Sequence, residues 1–272
     1  MGREVLNRAA GRIRVGVGGW TYAPWRETFY PEDLPHAREL EYASRQLTAI
    51  EVNGTFYRTQ TPATYAKWRD ETPDDFVFTL KAPRYTTQRA VLSEVAPGIE
   101  RFMQSGIDAL GPKLGPILWS FAPTKRYVPH DFEAFLKLLP REAGKCGLRH
   151  VIDVRHESFA TPEFVGLARA YGAAIALSDT DKYAGIADVT ADFVYARLKR
   201  CASSVETGYE KNALETWGAR ARLWASGAEP DDLPRVEAAQ PKSQPRDVFL
   251  FFIAGAKERA PAAARELLKL VQ

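Results

Sequence analysis

The sequence predicts an α/β protein, a TIM-like (β/α)8 barrel in a single domain. Three observations lead there. Eight short apolar runs rich in Val, Ile and Phe recur along the chain, most of them separated by segments with helical spacing of their apolar residues. The length of 272 residues is what one such barrel needs. No glycine-rich phosphate loop follows the first run: Gly16, Gly18 and Gly19 lack the dinucleotide and P-loop spacings, which weakens the competing open doubly wound sheet.

The elements are expected as follows. Residues 1–12 are polar and form a flexible arm, and the barrel domain covers residues 13–272. Ile13 to Gly18 alternates and makes the first strand. The aromatic stretch after it, with Trp20, Tyr22, Trp25, Phe29 and Tyr30, packs as a wall or lid on the barrel top. Leu34 to Gln46 is a helix with Leu40, Tyr42, Ala43 and Leu47 on its inner side. Ala49 to Asn53 is the second strand, with Glu51 and Asn53 on one face and Tyr57 just beyond it. A helix opening near Pro62 leads to the third strand, Phe76 to Lys81. A helix after Pro97 precedes the fourth strand, Gly115 to Phe121, and Asp131 is expected to cap the next helix.

His150 to Arg155 is the fifth strand, and Asp153 and Arg155 share its face. His156 stands where that strand becomes loop. Thr161-Pro162 opens a helix ending near Gly172, and Ala173 to Asp179 is the sixth strand. Asp192 to Leu198 is the seventh, with Tyr195 and Arg197 on one face. A long helix spans Tyr209 to Ser226. Residues 227–247, rich in Pro, Ala, Asp and Gln, read as a flexible loop insertion. Val248 to Ile253 is the eighth strand and Pro261 to Val271 the closing helix.

Composition narrows the function classes. Apolar residues make up 45% and charged residues 26%, an ordinary globular balance, and the net charge of +3 does not call for nucleic acid. No apolar run is long enough to span a bilayer, and the first residues hold no signal-peptide core, so the cytoplasm is the expected location. The two cysteines, Cys146 and Cys201, are expected as free thiols.

Barrels of this class place chemistry at the C-terminal ends of their strands. Those ends carry Trp20, Glu51, Asn53, Tyr57, Lys81, Asp153, Arg155, His156, Asp179 and Arg197. The set is strongly polar and of mixed charge, which packing alone does not require. Each residue also has a structural reading. Glu51 and Asp153 suit ion pairs with Arg155 or Arg197 as well as acid–base work. Lys81 suits a rim salt bridge to Glu51, a phosphate contact or imine chemistry. His156 suits a proton carrier or a hydrogen bond at a strand–loop junction. No H-x-H, H-E-x-x-H or C-x-x-C spacing occurs, so neither metal nor other cofactor is expected; an oxygen-rich site would have to draw on Glu51, Asp153, Asp179 and His156.

Several longer motifs then resemble the YecE-like family, known as domain of unknown function 72. They are G-V-G-G-W-T-Y-x-x-W with F-Y-P (16–31), E-V-N-G-T-F-Y (51–57), W-x-x-x-T-P-x-x-F-x-F-x-x-K-A-P (68–83), L-G-P-I-L (114–118), V-R-H-E-S-F (154–159) and T-A-D-F-V-Y-A-R-L (190–198). The resemblance implies a TIM-like barrel and supplies no reaction. Against the family pattern, this chain has Phe252-Ile253-Ala254-Gly255 for an amide-rich ending, Ser120-Phe121-Ala122-Pro123 for Q-L-P-P, Lys199-Arg200 for His-Gly, and Asp153 for Glu. Half of the rim is thus expected to have lost polar groups.

The leading functional expectation is a metal-independent enzyme for a small anionic substrate, phosphorylated or carboxylated and sugar-like. Glu51 and His156 exchange protons, Asp153 orients them, and Lys81, Arg155 and Arg197 bind the anion. Trp20, Asn53, Tyr57 and Asp179 complete the substrate wall. The alternative is a non-catalytic module for nucleotides or single-stranded nucleic acid, with Trp20, Tyr22 and Trp25 as a stacking platform beside Arg84, Arg89 and Lys125. A metal-dependent barrel acting on phosphodiesters is a third option.

Overall fold

Eight parallel strands close into a barrel, in a computed structural model that describes residues 10–183, 185–239 and 243–272. They are β1 (Ile13–Gly18), β2 (Ala49–Val52), β3 (Val77–Lys81), β4 (Leu114–Ser120), β5 (His150–Asp153), β6 (Ala174–Asp179), β7 (Phe193–Leu198) and β8 (Asp247–Phe252). Each strand pairs with its sequence neighbours, and β1 pairs with β8 to close the ring. The expected arm falls largely on residues 1–9, outside the described residues. Among the described residues, no helix is long and apolar enough to cross a membrane.

Helices wrap the strands: α1 (Glu39–Gln46), α2 (Pro62–Asp70), α3 (Ala96–Met103), α4 (Pro129–Leu138), α5 (Pro162–Ala170), α6 (Lys211–Ala225) and α7 (Ala260–Val271). Thr61 and Thr161 cap α2 and α5, each hydroxyl accepting the N–H three residues on, with Pro at the first helical position. Asp131 is not the cap expected of it. It lies inside α4, where its Oδ1 accepts the Leu92 N–H at 2.7 Å and its Oδ2 pairs with Lys125 at 3.2 Å, tying the β3–α3 loop to α4. A short antiparallel ribbon, Glu142–Ala143 with Cys146–Gly147, also escaped the sequence reading.

The link between β6 and β7 carries no α-helix among its described residues. The loop after α6 covers that flank instead. Asp188 accepts the N–H groups of Val236 and Glu237, both at 2.9 Å, and Ala187 donates to the Pro234 carbonyl. Leu233 and Val236 pack against the core, and Arg169 pairs with Glu237 at 2.8 Å. The segment expected as a flexible insertion is therefore pinned at several points.

Two apolar layers result. Outward strand residues such as Val15, Val17, Ile50, Leu80 and Ile117 pack beneath the helices. Inward residues, including Leu118, Val151, Ala176, Tyr195, Phe249 and Phe251, fill the barrel. Glycine at 16 is a steric requirement, since a Cβ there would meet the Ala49 carbonyl oxygen at 1.9 Å. The aromatic stretch after β1 is wall: Trp25 is fully buried, edge-on to Tyr22, Phe29 and Tyr30, and its indole N–H donates to the Lys257 carbonyl at 2.8 Å.

Candidate functional site

Alternation along three strands delivers the centre of the site. β7 points Tyr195 and Arg197 inward, β2 points Glu51 inward, and β5 points Asp153 inward. Register sets their level: Glu51 lies beside Gly18 and Thr79, Asp153 beside Ser120, and Arg197 beside Ser178. A Cβ at Gly18 would come within 3.0 Å of the Asn53 amide, so the glycine leaves that side chain its place.

Arg197 joins the two carboxylates. Its Nε and Nη2 donate to Glu51 Oε2 and Oε1, both at 3.1 Å, and its Nη1 donates to Asp153 Oδ2 at 2.8 Å. Glu51 also accepts from Asn53 Nδ2 at 3.1 Å and from the Tyr195 hydroxyl at 2.8 Å, while Thr79 bonds that hydroxyl at 3.0 Å. Asp153 Oδ2 accepts from the Ser120 hydroxyl at 2.7 Å and from Arg155 Nη2 at 3.1 Å. Arg155 Nη2 bridges to Ser120 Oγ as well, at 3.0 Å. Glu51 and Asp153 are both wholly buried. Four donors on Glu51 occupy the lone pairs a proton acceptor would need. Asp153 Oδ1 and Arg155 Nε, by contrast, are buried with no partner among the described residues.

Two lysines rim this network. Lys81, the last residue of β3, lies with its ammonium 4.2 Å above the Phe56 ring. Lys199, one residue past β7, bonds Ser178 Oγ at 2.9 Å and the Tyr183 hydroxyl. Among the described residues no carboxylate is paired with either lysine; Glu51 and Asp153 pair with the arginines instead. Burial, then the nearby Arg197, lowers each amine from the ordinary lysine value to about 8. Burial alone would raise the Asp153 carboxyl, but Arg197 and Arg155 reverse this and hold it below the usual carboxylate range. Burial and the Glu51 charge push Tyr195 far up, so it stays a donor.

The structure brings Glu51, Asn53, Lys81, Asp153, Arg155 and Arg197 together. It sets four other predicted site residues apart. Asp179 faces away from the barrel axis, where Arg200 holds it at 2.7 Å and the Tyr209 hydroxyl at 3.2 Å; Ser178 is the inward residue. Tyr57 is 74% exposed beside Phe56, at the surface. His156 uses Nδ1 to accept the Ser158 N–H at 3.1 Å, with the Ser158 hydroxyl 2.9 Å away. That places its ring proton on Nε2 and leaves it unbonded to Glu51, so the expected proton-exchanging pair is not assembled. Trp20 borders a neighbouring cavity of about 280 Å3, together with Asn53, Gln60, Trp68 and Lys257.

On the rim predicted to have lost polar groups, strands four and seven still present Ser120 and Lys199, whereas strand eight ends apolar with Phe251 and Ile253 in the barrel interior; Ser178 on strand six adds a hydroxyl. Lys199 and Ser178 were legible by continuing the inward rows Tyr195–Arg197–Lys199 and Ala174–Ala176–Ser178. Tyr183, on an irregular link, gave no such signal. The stacking platform of the alternative reading is not laid out as one, because Trp25 is buried and Lys125 is held by Asp131 and the Ala90 carbonyl. Among the described residues no three His, Cys, Asp or Glu side chains cluster as metal ligands. Burial, then Glu258 and Asp179, pushes the Cys201 thiol up to about 12, and the residue is buried.

The sequence profile of the family described as "Protein of unknown function DUF72" matches residues 14–272. The UPF0759 protein YecE of Escherichia coli strain K12 is 27% identical over 150 residues, which is 54% of this chain and 50% of that protein. The chain thus matches about half the length of this curated relative. A DUF72 family protein of Thermotoga maritima MSB8 superimposes with a TM-score of 0.73 at 19% identity, covering 96% of this chain and 99% of the other. One from Enterococcus faecalis V583 gives 0.68 at 15% identity, covering 97% and 99%. At these identities the likeness shows the fold.

Proposed function

This chain belongs to the DUF72 family, and from that premise we propose that its barrel mouth binds a small phosphorylated or carboxylated molecule and acts on it as a metal-independent enzyme. One observation carries the reading. Among the described residues Lys81, Arg155, Arg197 and Lys199 face two carboxylates, Glu51 and Asp153, leaving an excess of two positive charges at the strand ends. Burial makes that excess costly for the free protein and favours an anion. Asp153 Oδ1 and Arg155 Nε, without partners among the described residues, are an acceptor and a donor that a bound molecule would satisfy.

The roles differ from those expected at first. Arg197 is fully engaged by Glu51 and Asp153, so these three position the site and do not exchange protons with substrate. Lys81 and Arg155 bind the anion. Glu51 has both oxygens engaged by Arg197, Asn53 and Tyr195, which leaves it no lone pair for a divalent cation. The cavity beside Trp20 and Asn53 receives the uncharged part of a sugar-sized molecule.

Thermal unfolding in sulfate, phosphate and a panel of sugar phosphates and carboxylic acids tests this. Stabilisation that grows with anion concentration, and falls sharply in Lys81→Met and Arg155→Ala proteins, is expected. No stabilisation by any anion, or an unchanged response in both variants, overturns it.

A further inference from the structure

Lys199 differs from the other held lysines of this chain. Lys113, also buried, is held by the Thr72 and Arg69 carbonyls and the Thr72 hydroxyl, a cage of three oxygens. Lys125 has Asp131 and the Ala90 carbonyl. Among the described residues Lys199 bonds two hydroxyls, Ser178 at 2.9 Å and Tyr183. Such partners stabilise an ammonium less than carboxylates or carbonyl cages do, and a hydroxyl also accepts and returns protons. The Tyr183 ring is near both groups, with Lys199 Nζ 4.8 Å from its centroid and the Arg155 guanidinium 5.9 Å from it. One aromatic side chain therefore neighbours the amine and the anion-binding arginine.

We propose that Lys199 is an amine nucleophile that forms an imine with a carbonyl-bearing anion, an α-keto acid or a keto phosphate, and that Tyr183 relays the proton. The inference rests on the anion-binding reading above and names its substrate class. Among the described residues Lys81 has no hydrogen bond from its ammonium to a hydroxyl that could relay a proton; the ammonium lies over Phe56.

The chemistry balances without a co-reactant. The Nζ lone pair attacks the carbonyl carbon, and the C=O π pair moves onto oxygen. Tyr183 gives that oxygen its proton and recovers one from the new ammonium, leaving a carbinolamine. The nitrogen lone pair then forms C=N as Tyr183 protonates the departing hydroxyl to water, and the iminium N–H returns a proton to Tyr183. The sum is amine plus carbonyl to imine plus water. A protonated imine draws electrons from a neighbouring C–H or C–C bond, which suits proton transfer, aldol-type cleavage or decarboxylation. Lowered to about 8 by burial and Arg197, the amine is neutral in about a tenth of molecules at pH 7, against roughly one in three thousand for an ordinary lysine.

Borohydride reduction of the full chain with pyruvate or dihydroxyacetone phosphate, followed by peptide mass mapping, tests the proposal. A secondary-amine adduct confined to Lys199 is expected with at least one probe. Uncharged dihydroxyacetone should give at least tenfold less. The adduct should vanish in Lys199→Arg protein, and Tyr183→Phe should slow trapping at least tenfold. No adduct with either anionic probe, or adducts spread over surface lysines, overturns the proposal, and this result needs no variant to fold. If the unmodified protein is stabilised by sulfate yet traps nothing, imine formation falls and the anion site stands. If sulfate also fails, both fall.

Discussion

Arg197 lies flat along Glu51, with Nε on Oε2 and Nη2 on Oε1 at the same 3.1 Å. This fork-to-fork pair crosses the barrel interior from β7 to β2. The remaining Nη1 reaches Asp153 on β5 at 2.8 Å, so one guanidinium fixes three strand ends. Planar, five-donor geometry is what permits this, and an ammonium has no equivalent.

Removing that guanidinium should be severe. In an Arg197→Met protein, Glu51 and Asp153 remain buried and lose their shared countercharge. A loss of about 3–5 kcal/mol is expected, the usual cost of breaking a buried pair from one side. Arg197→Lys should recover only part of it, because the bidentate contact is gone. Urea unfolding measures both. A loss under about 1 kcal/mol in the Met variant would show that the pair is not what holds the barrel mouth.

The two rim lysines predict a pH dependence with a definite sign. In the free protein Lys81 and Lys199 are lowered to about 8, below the ordinary value, so between about 8 and the unfolded lysine range the unfolded chain holds more protons. Stability from these groups therefore rises with pH across that window. An anion reverses the preference, because it favours the ammonium form. Sulfate, which does not itself titrate there, should bind with proton uptake at pH 8.5 and lose affinity as pH rises past 8. Calorimetry in buffers of different ionisation enthalpy reads the uptake directly. Affinity that is flat from pH 7 to 9.5 would remove both lysines from the anion site.

Sequence periodicity made the barrel legible, because a strand covered on both faces must be an apolar run and each such run here became a strand. The same alternation placed Glu51, Asp153 and Arg197 on inward faces. It failed where a strand end was taken as a position and not as a face, which is why Asp179 was chosen over Ser178. Composition misled over residues 227–247, where Pro, Asp and Gln suggested a loose loop. Its Val236 and Glu237 N–H groups donate to Asp188, an acceptor nearly fifty residues earlier in the chain. Pairing was legible only as alternatives: Glu51 and Asp153 suited Arg155 or Arg197, but nothing local says that Arg197 takes both or that Lys81 goes without Glu51.

The aromatic residues near the mouth give a final contrast, between Trp25 and Tyr57. Both follow strand ends and both were candidates for ligand contact. Trp25 is fully buried among Tyr22, Phe29 and Tyr30, with its N–H bonded to the Lys257 carbonyl. Trp25→Ala should therefore cost about 3–5 kcal/mol through cavity formation and an orphaned carbonyl. Tyr57 is 74% exposed, so Tyr57→Ala should change stability by no more than about 0.5 kcal/mol. If Tyr57 swings onto a bound ligand, the Ala variant would weaken ligand-induced stabilisation while leaving the free protein's melting point unchanged. Equal melting points and equal ligand response in Tyr57→Ala and unmodified protein would remove Tyr57 from the site.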